Sequence, residues 1–255
     1  TKRDSFGKSI LTQAAATKNP FLFETVLSAI RTRLTPDQKG SLLKQVLETT
    51  KASFDEEGIE VANTLYELGL CMLDAQQHDE AEEVLRQALK IRLAKLGEDN
   101  LEVALTLHVL GMCIRDAGRH DKAEGMLRQA LHIKKAKLGK DDLQLAVTLH
   151  ELALCMLDAG QHDDAEEKLR QALKIREAML GEDNLEVALT LHVLGVCIRD
   201  AGRHDKAEGI LRQALHIKKA KLDEDDLQVA VTLHELALCM RDAGQLNKAE
   251  KMLRQ

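Results

Sequence analysis

Histidine and cysteine, two side chains suited to metal binding and catalysis, recur at steps of 42 residues along this chain. One series consists of Tyr66, His108, His150, His192 and His234, and a second of His78, His120, His162 and His204. The cysteines keep the same step: Cys71, Cys113, Cys155, Cys197 and Cys239. Equivalent residues of stacked helices lie roughly 10 Å apart, whereas a zinc–nitrogen bond measures about 2.1 Å. The spacing therefore argues against a shared metal ion, and five equivalent thiols indicate packing rather than nucleophilic catalysis.

Two fragments of catalytic motifs are incomplete. GKS at residues 7–9 ends like a phosphate-binding loop, but Lys2 stands where the first glycine belongs and no buried strand precedes it. HE at residues 150–151 and 234–235 opens like a zinc-protease motif, yet leucine replaces the second histidine in both. The sequence therefore predicts no enzyme, no cofactor and no metal site.

The composition of the 255-residue chain excludes further classes. Its formal net charge is −6, and its five aromatic residues all lie at or before Tyr66, so a nucleic-acid partner lacks both a positive field and stacking surfaces. No segment approaches the roughly 20 apolar residues that span a bilayer. Five cysteines without a CxxC pair, and no visible signal peptide, favour a cytoplasmic location.

Self-similarity at 42 residues defines the organisation of the chain. The units are 59–100, 101–142, 143–184, 185–226 and a truncated 227–255, with a weaker alternation every 84 residues. Within a unit, apolar residues follow the spacing of two helices, and Gly118 marks the turn between them. The predicted N-caps of the first helices are Asn100, Asp142, Asn184 and Asp226.

The pattern Leu107…Leu110-Gly111…Ile114…Gly118…Ala123…Leu127…Ala130 resembles the tetratricopeptide repeat, and the long second helix is similar to that of kinesin light chain and nephrocystin-3. The resemblance covers residues 59–255 and implies an all-α, right-handed superhelical solenoid of helix-turn-helix repeats. Residues 1–55 are predicted to form a helical N-terminal cap, in which Gly7 to Leu27 resembles an ankyrin repeat.

This resemblance implies a protein-interaction scaffold that binds a peptide or helix of a partner protein in a concave groove made by the first helices. The corresponding residues are Tyr66, Glu67, Leu70, His108, Met112, Arg115, His150, Glu151, Leu154, His192, Val196, Arg199, His234, Glu235 and Arg241. One alternative is the sensor region of a larger signal-transducing ATPase. Another is a passive spacer that self-associates end to end.

Three finer expectations concern charge. The groove histidines are expected to be solvated and to titrate near pH 6.5, which makes ligand binding depend on pH between about 5 and 7. The groove arginines are expected to pair with carboxylates of the ligand. The lysine-rich helix ends at residues 134–137 and 218–221 are interpreted as solvated faces.

Overall fold

Each sequence unit forms two α-helices joined by a tight turn. The computed structural model describes residues 27, 36–223 and 225–253, and none of these lies in a β-strand. The helices of this described part are α1 Pro36–Ser53, α2 Ile59–Asp74, α3 His78–Leu96, α4 Leu101–Asp116, α5 His120–Lys137, α6 Leu143–Asp158, α7 His162–Leu180, α8 Leu185–Asp200, α9 His204–Lys221, α10 Leu227–Asp242 and α11 Leu246–Leu253. The even-numbered helices from α2 to α10 are the first helices of the five units. The all-α repeat architecture predicted from the sequence is confirmed.

The first helices begin where the sequence places their caps. Asn100 Oδ1 accepts the backbone N–H of Glu102 at 2.8 Å, and Asp142 Oδ1 accepts that of Gln144 at the same distance. Asn184 and Asp226 cap α8 and α10 in the same way. Each cap satisfies a backbone donor that has no partner inside its helix.

The turn between the two helices requires a left-handed backbone residue. In the second unit, Gly118 has φ 75°, and the N–H of Arg119 donates to Ile114 O at 3.1 Å, which closes a Schellman motif. Gly160, Gly202 and Gly244 adopt the same conformation in the following units. Gln76 occupies this position in the first unit with φ 59°, so a residue with a side chain is held where glycine is preferred.

Aliphatic side chains form the core between the two helices of a unit. One cluster joins Val103, Ala104 and Leu107 of α4 to Ala130 and Ile133 of α5. The corresponding cluster between α8 and α9 comprises Val187, Ala188, Leu191, Ala214 and Ile217. This repetition explains how the chain builds a core with so few aromatic residues.

The cysteines are buried at helix contacts, as predicted. All five are buried, and none forms a disulfide. Cys113 Sγ donates to the carbonyl oxygen of His78 at 3.1 Å, and Cys197 Sγ to that of His162 at 3.2 Å. Burial raises the pKa of the Cys113 and Cys197 thiols to about 11, which keeps them protonated and unreactive at neutral pH.

The chain divides into two compact parts, residues 1–133 and 134–255. Within residues 1–133, α1 packs against α2. The ankyrin-like segment and most of the predicted cap lie outside the described residues. No helix in the described part is both long enough and apolar enough to cross a bilayer. The described residues also contain no cluster of three histidine, cysteine or acidic side chains arranged for a metal ion.

Candidate binding groove

The first helices carry a row of half-buried aliphatic side chains at the predicted groove positions. In residues 134–255, α6 packs against α8 and α8 against α10. Leu154, Val196 and Leu238 occupy one repeat position on these helices, and each remains partly accessible. In residues 1–133, Leu70 and Met112 hold the same position on α2 and α4 with similar exposure.

The imidazole series is less exposed than expected. His108 and His150 are buried, with 7% and 4% of their surface exposed, His192 and Tyr66 are half-buried, and His234 is exposed. His192 Nδ1 lies 3.2 Å from Thr232 Oγ1 of the following first helix. The expectation of a uniformly solvated histidine series is therefore wrong, because two of the four rings are buried and a third is half-buried.

The groove arginines already have carboxylate partners within the chain. Arg199 of α8 bonds to Asp200 at 2.8 Å and forms an ion pair with Glu235 of α10, which connects two successive first helices. Arg115 bonds to Asp116 at 2.8 Å. Arg241 bonds to Asp242 while its side chain stays 57% exposed. The expectation that Arg199 is held ready for a ligand carboxylate is therefore not met.

The second helices carry a series of buried cations that was not predicted from the sequence. Arg92, Lys134, Arg176 and Lys218 occupy one position on the second helices and are only 2–3% exposed. Each donates to a threonine hydroxyl of the next first helix. Lys134 Nζ bonds to Thr148 Oγ1 at 2.9 Å, for example. The interpretation of residues 134–137 and 218–221 as wholly solvated faces is wrong for Lys134 and Lys218.

The buried cations alternate between two environments. The Arg92 guanidinium bonds to the Glu102 carboxylate at 2.9 Å and lies 4.6 Å from the centre of the Tyr66 ring. Arg176 pairs with Glu186 in the same way at 3.0 Å. The two lysines instead pack against first helices that carry glutamine in place of this glutamate. Lys218 Nζ lies 3.4 Å from the Gln228 carbonyl oxygen. The signal in the sequence was this alternation of Arg with Glu and Lys with Gln, ten residues apart.

Burial shifts the pKa values of the two lysines and of His192. Burial lowers the pKa of Lys134 to about 8 and also lowers that of Lys218. Burial, and then the positive charges of Lys218 and Arg199, lower the pKa of His192 to about 4. His192 is thus neutral from pH 5 to 7, which corrects the expectation that it titrates in that range.

Known structures share this architecture. A kinesin light chain protein of Podospora anserina with nearly identical TPR-like repeats superposes with a TM-score of 0.68 at 24% identity, over 78% of this chain and 94% of its own. BtubC (BKLC) of P. vanneervenii gives a TM-score of 0.72 at 20% identity, over 87% of this chain and 89% of its own. YrrB, a TPR protein with an unusual peptide-binding site, gives 0.52 at 14% identity, over 83% and 89%. At these identities the likeness shows the fold.

The sequence itself matches the tetratricopeptide repeat model in five overlapping segments, residues 40–94, 60–136, 102–178, 144–220 and 186–255. No protein with a curated function matches this chain significantly. The matched segments extend over most of the chain, and each segment from residue 60 onwards covers two consecutive helix pairs. The chain therefore belongs to the tetratricopeptide repeat family, whose members are non-enzymatic protein-interaction scaffolds.

Proposed function

We propose that this chain binds a peptide or a helix of a partner protein along the groove formed by its first helices. The observation that carries the proposal is the row Leu154, Val196 and Leu238, which recurs at one repeat position and stays partly accessible on three successive first helices. Recurring apolar contacts with accessible surface suit an extended or helical ligand whose own apolar side chains repeat. The peptide-binding site of the structural neighbour YrrB supports this assignment.

Polar groups beside the aliphatic row favour hydrogen bonds to the backbone of a ligand over ion pairs with its charged side chains. His192 is neutral, and its Nδ1 faces Thr232, so Nε2 is the ring nitrogen that remains for a peptide N–H or C=O. The Arg199–Glu235 ion pair lies alongside with its charges already balanced. Specificity then rests on the aliphatic contacts and on hydrogen bonds, with Arg241 as the exposed cation of the groove.

The proposal is tested by selecting ligands from a phage-displayed random peptide library against the purified chain. Val196→Glu places a charge in the middle of the aliphatic row, and because Val196 is only half-buried the helix should still fold. We expect this change to weaken the selected peptides by about tenfold or more. Circular dichroism of each variant verifies that the helix content is unchanged.

The chain supplies two matched controls. Val196→Met introduces the residue that the near-identical second unit carries at Met112, and it should preserve binding. Gln213→Glu adds the same negative charge at an exposed position of α9, away from the groove. The proposal fails if no peptide is enriched, or if Val196→Glu and Gln213→Glu weaken binding equally.

A further inference from the structure

A second surface of the chain combines an apolar floor with a basic rim. It is a cleft of about 430 Å³ between α6, α7 and the end of α5. Leu145, Leu149 and Ile175 form its floor, and Lys135, Lys140 and Lys174 its rim. We refer to these six residues as the basic cleft.

The basic cleft is separate from the proposed groove. An α-helix turns by about 100° per residue, so Leu149 of the cleft and Leu154 of the groove point about 140° apart around α6. The rest of the cleft comes from the second helix α7 and from the segment around Lys135 and Lys140 that precedes α6. A ligand in the cleft therefore touches a different side of the repeat from a ligand in the groove.

The rim is positive in a chain whose net charge is −6. Asp141 is the one acidic residue among those that line the cleft, and all three lysines are exposed. The flanking repeats carry other residues at the equivalent positions. Lys135 corresponds to Leu93 and Glu177, Lys140 to Glu98 and Glu182, and Lys174 to His132 and His216. The second and fourth units are nearly identical, yet Lys140 is one of their four differences and corresponds to Glu224. The basic rim is thus specific to this junction.

We propose that the basic cleft binds an acidic segment of a partner protein that carries an aliphatic anchor residue. The floor offers apolar contacts to a single inserted side chain, which gains free energy by leaving water. Carboxylates on either side of that anchor then lie within reach of the lysines, where charge complementarity speeds association and sets the orientation. The glutamates at the equivalent positions of the flanking repeats repel an acidic segment. Such a segment therefore binds at the basic cleft rather than at the equivalent surfaces of the other repeats.

The test uses the fluorescein-labelled peptide DEELEDE as the probe, measured by fluorescence polarisation with the full chain. Binding is expected despite the net repulsion between two acidic molecules, and it should weaken as sodium chloride rises to 0.5 M. Lys174→Glu should weaken binding by about three- to tenfold, the range of exposed ion pairs that are lost and reversed. Lys90→Glu is the matched control, because Lys90 is exposed at the same repeat position outside the cleft.

Two further probes separate the anchor from the charge. DEESEDE, which lacks the leucine, should bind about tenfold more weakly, and KKKLKKK should not bind at the cleft. The proposal is overturned if DEELEDE does not bind, if Lys174→Glu and Lys90→Glu have equal effects, or if the leucine makes no difference. It is also overturned if sedimentation shows a dimer that Lys174→Glu dissociates, since a second copy would then occupy the cleft.

Discussion

Replacing the buried lysine of the second repeat with methionine should stabilise the protein. Lys134 is 2% exposed, donates to Thr148 and lacks the carboxylate that pairs with Arg92 and Arg176 in the alternate repeats. Methionine has a similar length and no charge to desolvate. The Thr148 hydroxyl keeps its bond to the Gln144 carbonyl oxygen at 2.9 Å after the change, so no buried donor is stranded.

The magnitude follows from the shift in the pKa of Lys134. Its pKa falls from 10.5 to about 8 on folding, and each pKa unit corresponds to about 1.4 kcal/mol, so the charged amine costs about 3 kcal/mol at pH 7. The unfolded chain binds the proton more tightly, so this penalty is complete below about pH 8 and disappears as the pH rises towards 10.5. We expect Lys134→Met to raise the free energy of unfolding by about 1–3 kcal/mol at pH 7.

Urea denaturation followed by circular dichroism at pH 7, 9 and 10 measures this difference. Arg92→Met is the matched control, since it removes the same charge at the equivalent position. It removes the guanidinium bond to Asn63 Oδ1 at 2.8 Å and leaves Glu102 without its guanidinium partner, so it should destabilise the chain by about 1–3 kcal/mol. A Lys134→Met protein less stable than wild type at pH 7, or a stability difference that does not shrink with rising pH, would refute the reasoning.

Three other predictions follow from single positions. Gln76→Gly should raise the free energy of unfolding by about 1 kcal/mol, because the residue has φ 59°, and thermal denaturation will reveal no gain if the turn is unstrained. The Cys113 thiol, with its pKa raised from 9.0 to about 11, should react at pH 8 about a hundredfold more slowly with a disulfide reagent in the native chain than in urea. Equal rates would place it at the surface. The affinity of a groove ligand, measured by calorimetry, should not change through His192 between pH 5 and 7, since its pKa is about 4; a transition near pH 6.5 that His192→Gln removes would contradict this.

The sequence predicted those features of the fold that depend on local chemistry repeated at a fixed step. The cap at Asn100 and the turn at Gly118 each require one residue type at one place, so the pattern identifies them directly. The buried cysteines followed from their apolar register on the first helix. Nothing beyond the period and the helical spacing was needed for these predictions.

The sequence did not predict which polar residues are buried between repeats. Lys134 stands next to Lys135 in a lysine-rich run, and only packing against α6 distinguishes the buried amine from its exposed neighbour. The pairing of Arg199 with Glu235 likewise joins residues 36 apart on different helices. Both depend on how one repeat stacks on the next, and in a single sequence the covarying Arg–Glu and Lys–Gln positions were their only signal.

The central claim is that a partner segment lies along the aliphatic row of the first helices, and methyl NMR of the chain with a selected peptide tests it most directly. We expect the methyl signals of Leu154, Val196 and Leu238 to shift on titration, while that of Met179, which is 54% exposed at the end of α7, stays unchanged. Shifts confined to Leu145 and Leu149 in the basic cleft, with the three row residues unchanged, would contradict the claim.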